Sequence, residues 1–214
     1  MTRELKPKRT FPLDWSTIEQ DRVERILCFD QSLLNTGWAL MMFAPKKRPV
    51  VQLHGTIKNP PLDGITGMED SFRRGEILLQ EIVNVLTVTW EVGFERIVHE
   101  TPSLMGFGGQ SKMEAAPIAA MALRAAARMH QRFEIRKVPI EMLQAEVVQA
   151  WIGGRRGAKK DEIHAEMWKI IPEFHTNEHV RDSIAIGLTY VARRDLDRRV
   201  AEWRERNPKK VMAV

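Results

Sequence analysis

The sequence predicts a mixed α/β fold in which helices cover a five-stranded sheet. Three short apolar segments in hairpin order open the chain, and helix and strand patterns then alternate. The length of 214 residues, 43% of them hydrophobic, suffices for one core. We therefore expect a central domain over residues 24–194, a basic N-terminal arm over residues 1–23 and a basic C-terminal helical extension over residues 195–214.

The first part of the chain contains three predicted strands and one helix. Two strand segments are apolar runs on either side of a polar turn, and the third lies between prolines. The helix is predicted because its apolar residues recur every three or four positions. The strands are predicted over residues 24–30, 36–43 and 50–57, and the helix over residues 67–90.

Strand and helix patterns alternate in the second part of the chain. An apolar run that ends in Glu100 and is closed by Pro102 predicts the fourth strand. A glycine-rich loop then leads into an alanine-rich helix, which is followed by a fifth strand and three more helices. The strands are predicted over residues 94–100 and 133–138, and the helices over residues 115–131, 140–151, 158–171 and 179–204.

The formal net charge of +5 is unevenly distributed along the chain. Residues 193–210 contain eight basic and four acidic residues, and residues 1–9 contain four basic and one acidic residue. The body between them is therefore left slightly acidic, at about −2. Basic ends around an acidic site are typical of a protein that binds a polyanion. Solvated termini are the alternative.

The composition argues against several classes of protein. One cysteine, Cys28, allows neither an intramolecular disulfide framework nor a cysteine-rich zinc site. No stretch approaches 18 consecutive apolar residues, so we expect no membrane span. The N-terminal residues lack the apolar core of a secretory signal. We therefore expect a cytoplasmic protein.

Four polar residues could form a site. Asp30 and Glu100 each end a predicted strand, and His179 and Asp182 share one face at the start of the last helix. If that helix packs against the strand ends, three carboxylates and an imidazole converge, and a divalent cation would relieve their repulsion. Oxygen ligands suit Mg²⁺ or Mn²⁺, and a single histidine is compatible with Mn²⁺. Taken singly, each residue is also typical of a solvated strand end or helix start.

Four segments in this order resemble the RuvC-type Holliday-junction resolvases. They are Asp30 to Trp38, Ile97 to Glu100, Ala158 to Ile163 and His179 to Leu188, and the resemblance runs through most of residues 25–194. It implies an RNase H-like fold and a homodimer that cuts two symmetry-related strands of branched DNA. Because the resemblance would make this chain a diverged member with basic ends, we expect a phage or mobile-element source, which would place it in the cytoplasm of a bacterial host.

The resemblance also implies a role for each site residue. Asp30, Glu100 and Asp182 would bind metal, and His179 stands where family members carry His or Asp. Two Mg²⁺ or Mn²⁺ ions about 4 Å apart would flank the scissile phosphate, one activating water and the other stabilising the leaving 3′ oxygen. Lys160 matches a basic family residue that would neutralise the phosphate in the transition state.

Basic residues cluster just after the flexible Gly153-Gly154 pair, which predicts contact with DNA phosphates. The alternative for Lys160 is a solvated lysine at a helix start. The predicted phosphate-binding residues are Arg155, Arg156, Lys159 and Lys160.

Two positions depart from the family pattern. Gln31 stands where a proline is common, and Ser103 stands where an aromatic residue usually stacks on an unpaired base at the crossover. Phe107, between two glycines, is the residue that we predict as a wedge between bases instead. Its alternative role is that of a loop anchor packed on the sheet.

Other interpretations stay open at this level. The small residues of the alanine-rich helix fit either the family's dimer interface or a core helix packed on the sheet. A catalytically inactive branched-DNA-binding protein would gain nothing from four acidic or imidazole side chains facing phosphates. A nucleotide-binding protein of the actin and hexokinase type would need two copies of this unit.

Overall fold

The computed structural model describes residues 13, 15–101, 110–133, 137–172, 174 and 176–207. A short 3-10 helix at Trp15–Thr17 precedes the first strand. The strands are β1 (Glu24–Asp30), β2 (Asn35–Phe43), β3 (Val50–Lys58), β4 (Arg96–Glu100) and β5 (Ile140–Leu143). The helices are α1 (Gly67–Val92), α2 (Gln110–Phe133), α3 (Ala145–Ile152), α4 (Lys160–Ile170) and α5 (Glu178–Arg206).

The five strands form a mixed sheet in the order β3-β2-β1-β4-β5. The first three strands pair antiparallel, whereas β4 is parallel to β1 and β5 is parallel to β4. Because Phe29 is aligned with His99, Asp30 and Glu100 follow at the same edge of the sheet. The predicted mixed α/β sheet is confirmed, and its parallel centre brings these two carboxylates to one edge.

Helices cover both faces of the sheet. Strand β1 is buried on both sides, which explains its continuous apolar run. Ile26 and Cys28 pack in the core that includes α3, α4 and α5, whereas Leu27 and Phe29 pack in the core that includes α1 and α2. Within the described residues, no helix is long and apolar enough to cross a membrane.

Gly37 allows the start of α5 to lie directly on β2. A Cβ atom at Gly37 would be 2.0 Å from the backbone carbonyl oxygen of His179, which no side chain could tolerate. Gly37 also pairs with Asp30 across the β1–β2 ladder. The absence of a side chain at this position therefore brings the first turn of α5 next to the end of β1.

The predicted fifth strand over residues 133–138 does not match the described residues, since residue 133 is helical and residues 137–138 form no strand; residues 134–136 lie outside them. Phe133 ends α2, and the strand that pairs with β4 is Ile140–Leu143. The predicted helix over residues 140–151 accordingly starts only at Ala145. A four-residue edge strand with mostly half-exposed positions shows no periodicity of its own, and its hydrogen bonds to β4 decide its conformation.

Arginines attach α5 to the sheet at the end opposite Asp30. Glu24 is buried and pairs with both Arg96 and Arg194. Burial alone would raise the pKa of Glu24, but the two guanidinium groups bring it below its ordinary value. Helix α5 runs without a break across residues 194 and 195, and Asp195 is itself buried. The first part of the predicted extension thus continues a core helix.

Candidate active site

Asp30 and Glu100 form the centre of the candidate site, at the carboxyl ends of β1 and β4. Within the described residues, neither carboxylate accepts a hydrogen bond, and the His179 ring lies 4.0 Å from Asp30. Burial raises the pKa of Asp30 to about 8, and repulsion from Asp182 and Glu100 adds to the effect. Burial raises the pKa of Glu100 to about 7, with repulsion from Asp182 added. These are the signs of excess negative charge in a partly dry pocket.

The first turn of α5 supplies His179 and Asp182. Asn177 caps the helix, because its side-chain oxygen accepts a hydrogen bond from the Val180 backbone N–H at 3.2 Å. The Nδ1 atom of His179 lies 4.0 Å from an Asp30 carboxylate oxygen. The positive end of the α5 dipole therefore faces the carboxylates and offsets part of their charge.

Lys160, the first residue of α4, is the cation of the site. Its Nζ atom donates to an Asp182 carboxylate oxygen at 2.8 Å and also to Glu178. Burial alone would lower the pKa of Lys160, but these two hydrogen bonds raise it above its ordinary value. The ammonium group is therefore charged throughout the neutral range. The structure places all five residues predicted for this site, namely Asp30, Glu100, His179, Asp182 and Lys160, at the same edge of the sheet. Among the described residues, however, no three of the acidic or imidazole side chains lie close enough to share a metal ion.

Two further residues belong to this cluster that the sequence did not predict, His164 and Glu178. The buried His164 ring lies with Nε2 at 2.9 Å from the second carboxylate oxygen of Asp182. Burial alone would raise the pKa of Asp182, but hydrogen bonds from His164 and Lys160 bring it below its ordinary value. One signal was available, because Lys160 and His164 are four residues apart and so share a helix face.

We expect His164 to hold Asp182 in its ionised form. Substitution with leucine removes the donor, so the pKa of Asp182 should rise toward its ordinary value. The His164→Gln variant retains a donor and should restore the wild-type pKa. The measurement is an NMR titration of the Asp182 side-chain carboxyl carbon in the metal-free protein at acidic pH. An unchanged titration in His164→Leu would contradict this role.

The predicted phosphate-binding residues lie at the turn between α3 and α4, and their role stays a prediction. Arg155 bridges Glu162 at 2.7 Å, and Arg156 lies 4.0 Å from Glu146. Lys159 is exposed immediately before α4. Phe107, the predicted wedge, lies outside the described residues.

The chain has the RNase H-like fold in the form seen in RuvC-type resolvases, which confirms the predicted fold. Thermus thermophilus RuvC in complex with a Holliday junction substrate superposes with a TM-score of 0.63 at 15% identity, over 81% of this chain and 96% of that one. A further T. thermophilus RuvC structure gives 0.59 at 17% identity over the same shares of the two chains. The yeast mitochondrial Holliday junction resolvase Ydc2 gives 0.54 at 13% identity, over 83% of this chain and 80% of that one. No protein-family model and no curated protein sequence matches the chain.

Proposed function

We propose that this protein is a metal-dependent endonuclease that cuts branched DNA, with the four-way Holliday junction as its main substrate. The observation that carries the proposal is the meeting of Asp30, Glu100 and Asp182 at one sheet edge, where the first two have no hydrogen-bonding partner among the described residues. The proposal is supported by the shared fold with RuvC, whose structure was determined with a Holliday junction substrate.

The donor set fits a hard divalent cation. Three carboxylates and one imidazole are ligands that Mg²⁺ or Mn²⁺ accepts. Burial, with added repulsion between the carboxylates, raises the pKa of Asp30 and Glu100, so a cation between them would stabilise their ionised forms. We propose that Asp30, Glu100, His179 and Asp182 hold two metal ions per site. In the described part of the chain no three His, Cys, Asp or Glu side chains lie close enough to share an ion, so metal binding would require these side chains to move closer together. Bound there, the metal would activate water and stabilise the leaving oxygen.

Lys160 has a separate task in this proposal. Its ammonium group is shared between Asp182 and Glu178, and its side chain is more than half exposed. It can therefore turn toward an incoming phosphate without a large desolvation cost. A cation at this position would stabilise the negative charge that builds up on the phosphate oxygens in the transition state.

Paired cutting of a junction needs two active sites, so we propose a homodimer. Helix α2 offers a surface for it. Ala119, Leu123 and Ala126 are buried in the core shared with α1, whereas Met121 and Met129 are exposed. Exposed methionines are common at protein-binding surfaces because the side chain adapts its shape.

The test is incubation of the full chain with a labelled four-way junction in Mg²⁺, in Mn²⁺ and in EDTA. We expect paired, symmetrically placed nicks that require the metal, and little cutting of linear duplex DNA with the same arm sequences. Flap and three-way substrates would measure the strictness of the preference. If the folded, dimeric protein binds the junction but cuts none of these substrates, the result would instead support the alternative that it is a catalytically inactive junction-binding protein.

A further inference from the structure

The turn between β2 and β3 presents three consecutive cations, Lys46, Lys47 and Arg48, which we call the basic hairpin. All three residues are exposed. Prolines lie on either side of it, at positions 45 and 49, and the Lys47 backbone N–H donates to the Ala44 carbonyl at 3.2 Å. Because proline fixes its own φ angle, these features hold the charges on a short, stiff turn.

The basic hairpin differs from the arginines of α5 in having no carboxylate partner. Within the described residues, no carboxylate oxygen lies within 4.0 Å of its three side chains, whereas most of the α5 arginines are paired inside the chain. Arg194 binds Glu24, and Arg198 binds Glu19, Asp21 and Asp195. Cations without internal partners are the ones that gain most from binding an external anion.

A cavity of about 880 Å³ lies beside the basic hairpin, lined also by Trp15 and by the end of α4. Glu19 and Asp21 line it too, but both pair with Arg198. Trp15 anchors the turn, because its ring packs on Phe43 and its N–H approaches the Lys47 carbonyl at 3.4 Å. The charge left without a partner along this surface is therefore positive.

The basic hairpin lies at the opposite end of the sheet from the carboxylates. Asp30 pairs with Gly37 at one end of the β1–β2 ladder, and Glu24 pairs with Phe43 at the other. Six residues of strand separate the two ends, and Lys46 lies three residues beyond Phe43, so the basic hairpin is about 20 to 30 Å from Asp30 at about 3.3 Å per residue. That distance corresponds to about six to nine base-pair steps of duplex DNA at 3.4 Å each.

We propose that the basic hairpin binds backbone phosphates of one duplex arm of the branched substrate, about six to nine base pairs from the cut. This inference rests on the proposed function, since it takes branched DNA as the ligand. Phosphate contacts of this kind position a substrate without reading its sequence. They would add affinity for long arms and leave the chemistry at the carboxylates unchanged.

The test compares two variants that lose the same charge. In K46N/K47Q/R48Q the basic hairpin is neutral, and asparagine suits position 46, where the backbone φ is +57°. In R193Q/R199Q/R206Q three arginines that pair within α5 are neutral instead. Affinity for a four-way junction is measured by fluorescence anisotropy in EDTA at several salt concentrations, which keeps binding separate from cleavage.

We expect the hairpin variant to bind at least about tenfold more weakly at low salt, with a salt slope reduced by about 2 to 3, and the α5 variant to change less than about threefold. Neutral methylphosphonates placed about six to nine base pairs from the crossover should weaken wild-type binding but not that of the hairpin variant. Equal losses in the two variants, or no loss in the first, would overturn the inference. Hairpin-dependent binding by a protein that cuts nothing would uphold it and contradict the proposed nuclease instead.

Discussion

Replacement of Asp30 by asparagine should lower the rate of junction cleavage at least about 1,000-fold while junction affinity stays within about threefold of wild type. Asparagine keeps the size of the side chain but removes the negative charge that the proposed metal site requires. Single-turnover cleavage in Mg²⁺ measures the first effect, and anisotropy in EDTA measures the second. An Asp30→Asn protein that cuts at the wild-type rate would remove Asp30 from the site.

The same substitution should stabilise the metal-free protein at high pH. The pKa of Asp30 is about 8 in the folded chain and 3.8 ordinarily, so between these values the folded state binds a proton that the unfolded state releases. The contribution of Asp30 to the free energy of unfolding is therefore favourable at low pH and is lost as the pH rises toward 8. We expect Asp30→Asn to be more stable than wild type by about 2 kcal/mol at pH 8 in EDTA, and equal to it near pH 4.

Asp182→Asn is the matched control. It removes one carboxylate from the same site, but the pKa of Asp182 lies below its ordinary value because its ionised form accepts hydrogen bonds from His164 and Lys160. Cleavage should be lost in this variant too, whereas the free energy of unfolding at pH 8 should fall rather than rise. Urea denaturation at pH 5 and pH 8 separates the two variants. Stability changes of the same sign in both would contradict the charge distribution described for the site.

Substitution of Gly37 by alanine should destabilise the protein by about 3 kcal/mol, because the new Cβ atom would lie 2.0 Å from the His179 carbonyl oxygen. That oxygen belongs to the backbone at the start of α5, so it cannot turn away as a side chain can. Cleavage should also fall sharply even where the protein is folded, because His179 and Asp182 move with the helix. The midpoint of urea denaturation and the cleavage rate at low temperature measure the two effects.

Gly55→Ala is the control for this prediction. Gly55 lies on the neighbouring strand β3, paired with Trp38, and a Cβ atom there would meet the Trp38 indole at 2.9 Å. A half-buried side chain can shift, and alanine in a strand gains up to about 1 kcal/mol over glycine. We therefore expect Gly55→Ala to stay within about 1 kcal/mol of wild type. A Gly37→Ala protein equally close to wild type would show that α5 does not depend on this contact.

The strand pattern predicted most of the fold because it depends on local chemistry. The apolar run that ends in Asp30 is strand β1, and its bounds agree with those predicted from the sequence. Local pattern failed for β5, where four residues of the sheet edge take their conformation from β4 rather than from their own sequence. A prediction made from adjacent residues in the sequence contains no information about that pairing between strands.

In the candidate site, too, features set by local sequence were predicted and contacts set by packing were not. The sequence placed Asp30, Glu100, His179 and Asp182 at the ends of strands and at a helix start, which was enough to propose a site. It did not show that His164 would contact Asp182, 18 residues further along the chain. Such a contact depends on how α4 and α5 pack on the sheet.

By itself, the sequence determined the order of the main strands and helices, the strand ends that carry Asp30 and Glu100, and the total charge. Only the tertiary structure decided which charges have partners. Arg194 reaches Glu24 across 170 residues of chain, whereas Lys46, Lys47 and Arg48 meet no carboxylate within the described residues. The physical reason is that helix and strand periodicities arise between neighbours, while the electrostatic environment of a charged group depends on whatever the fold brings within a few ångströms of it.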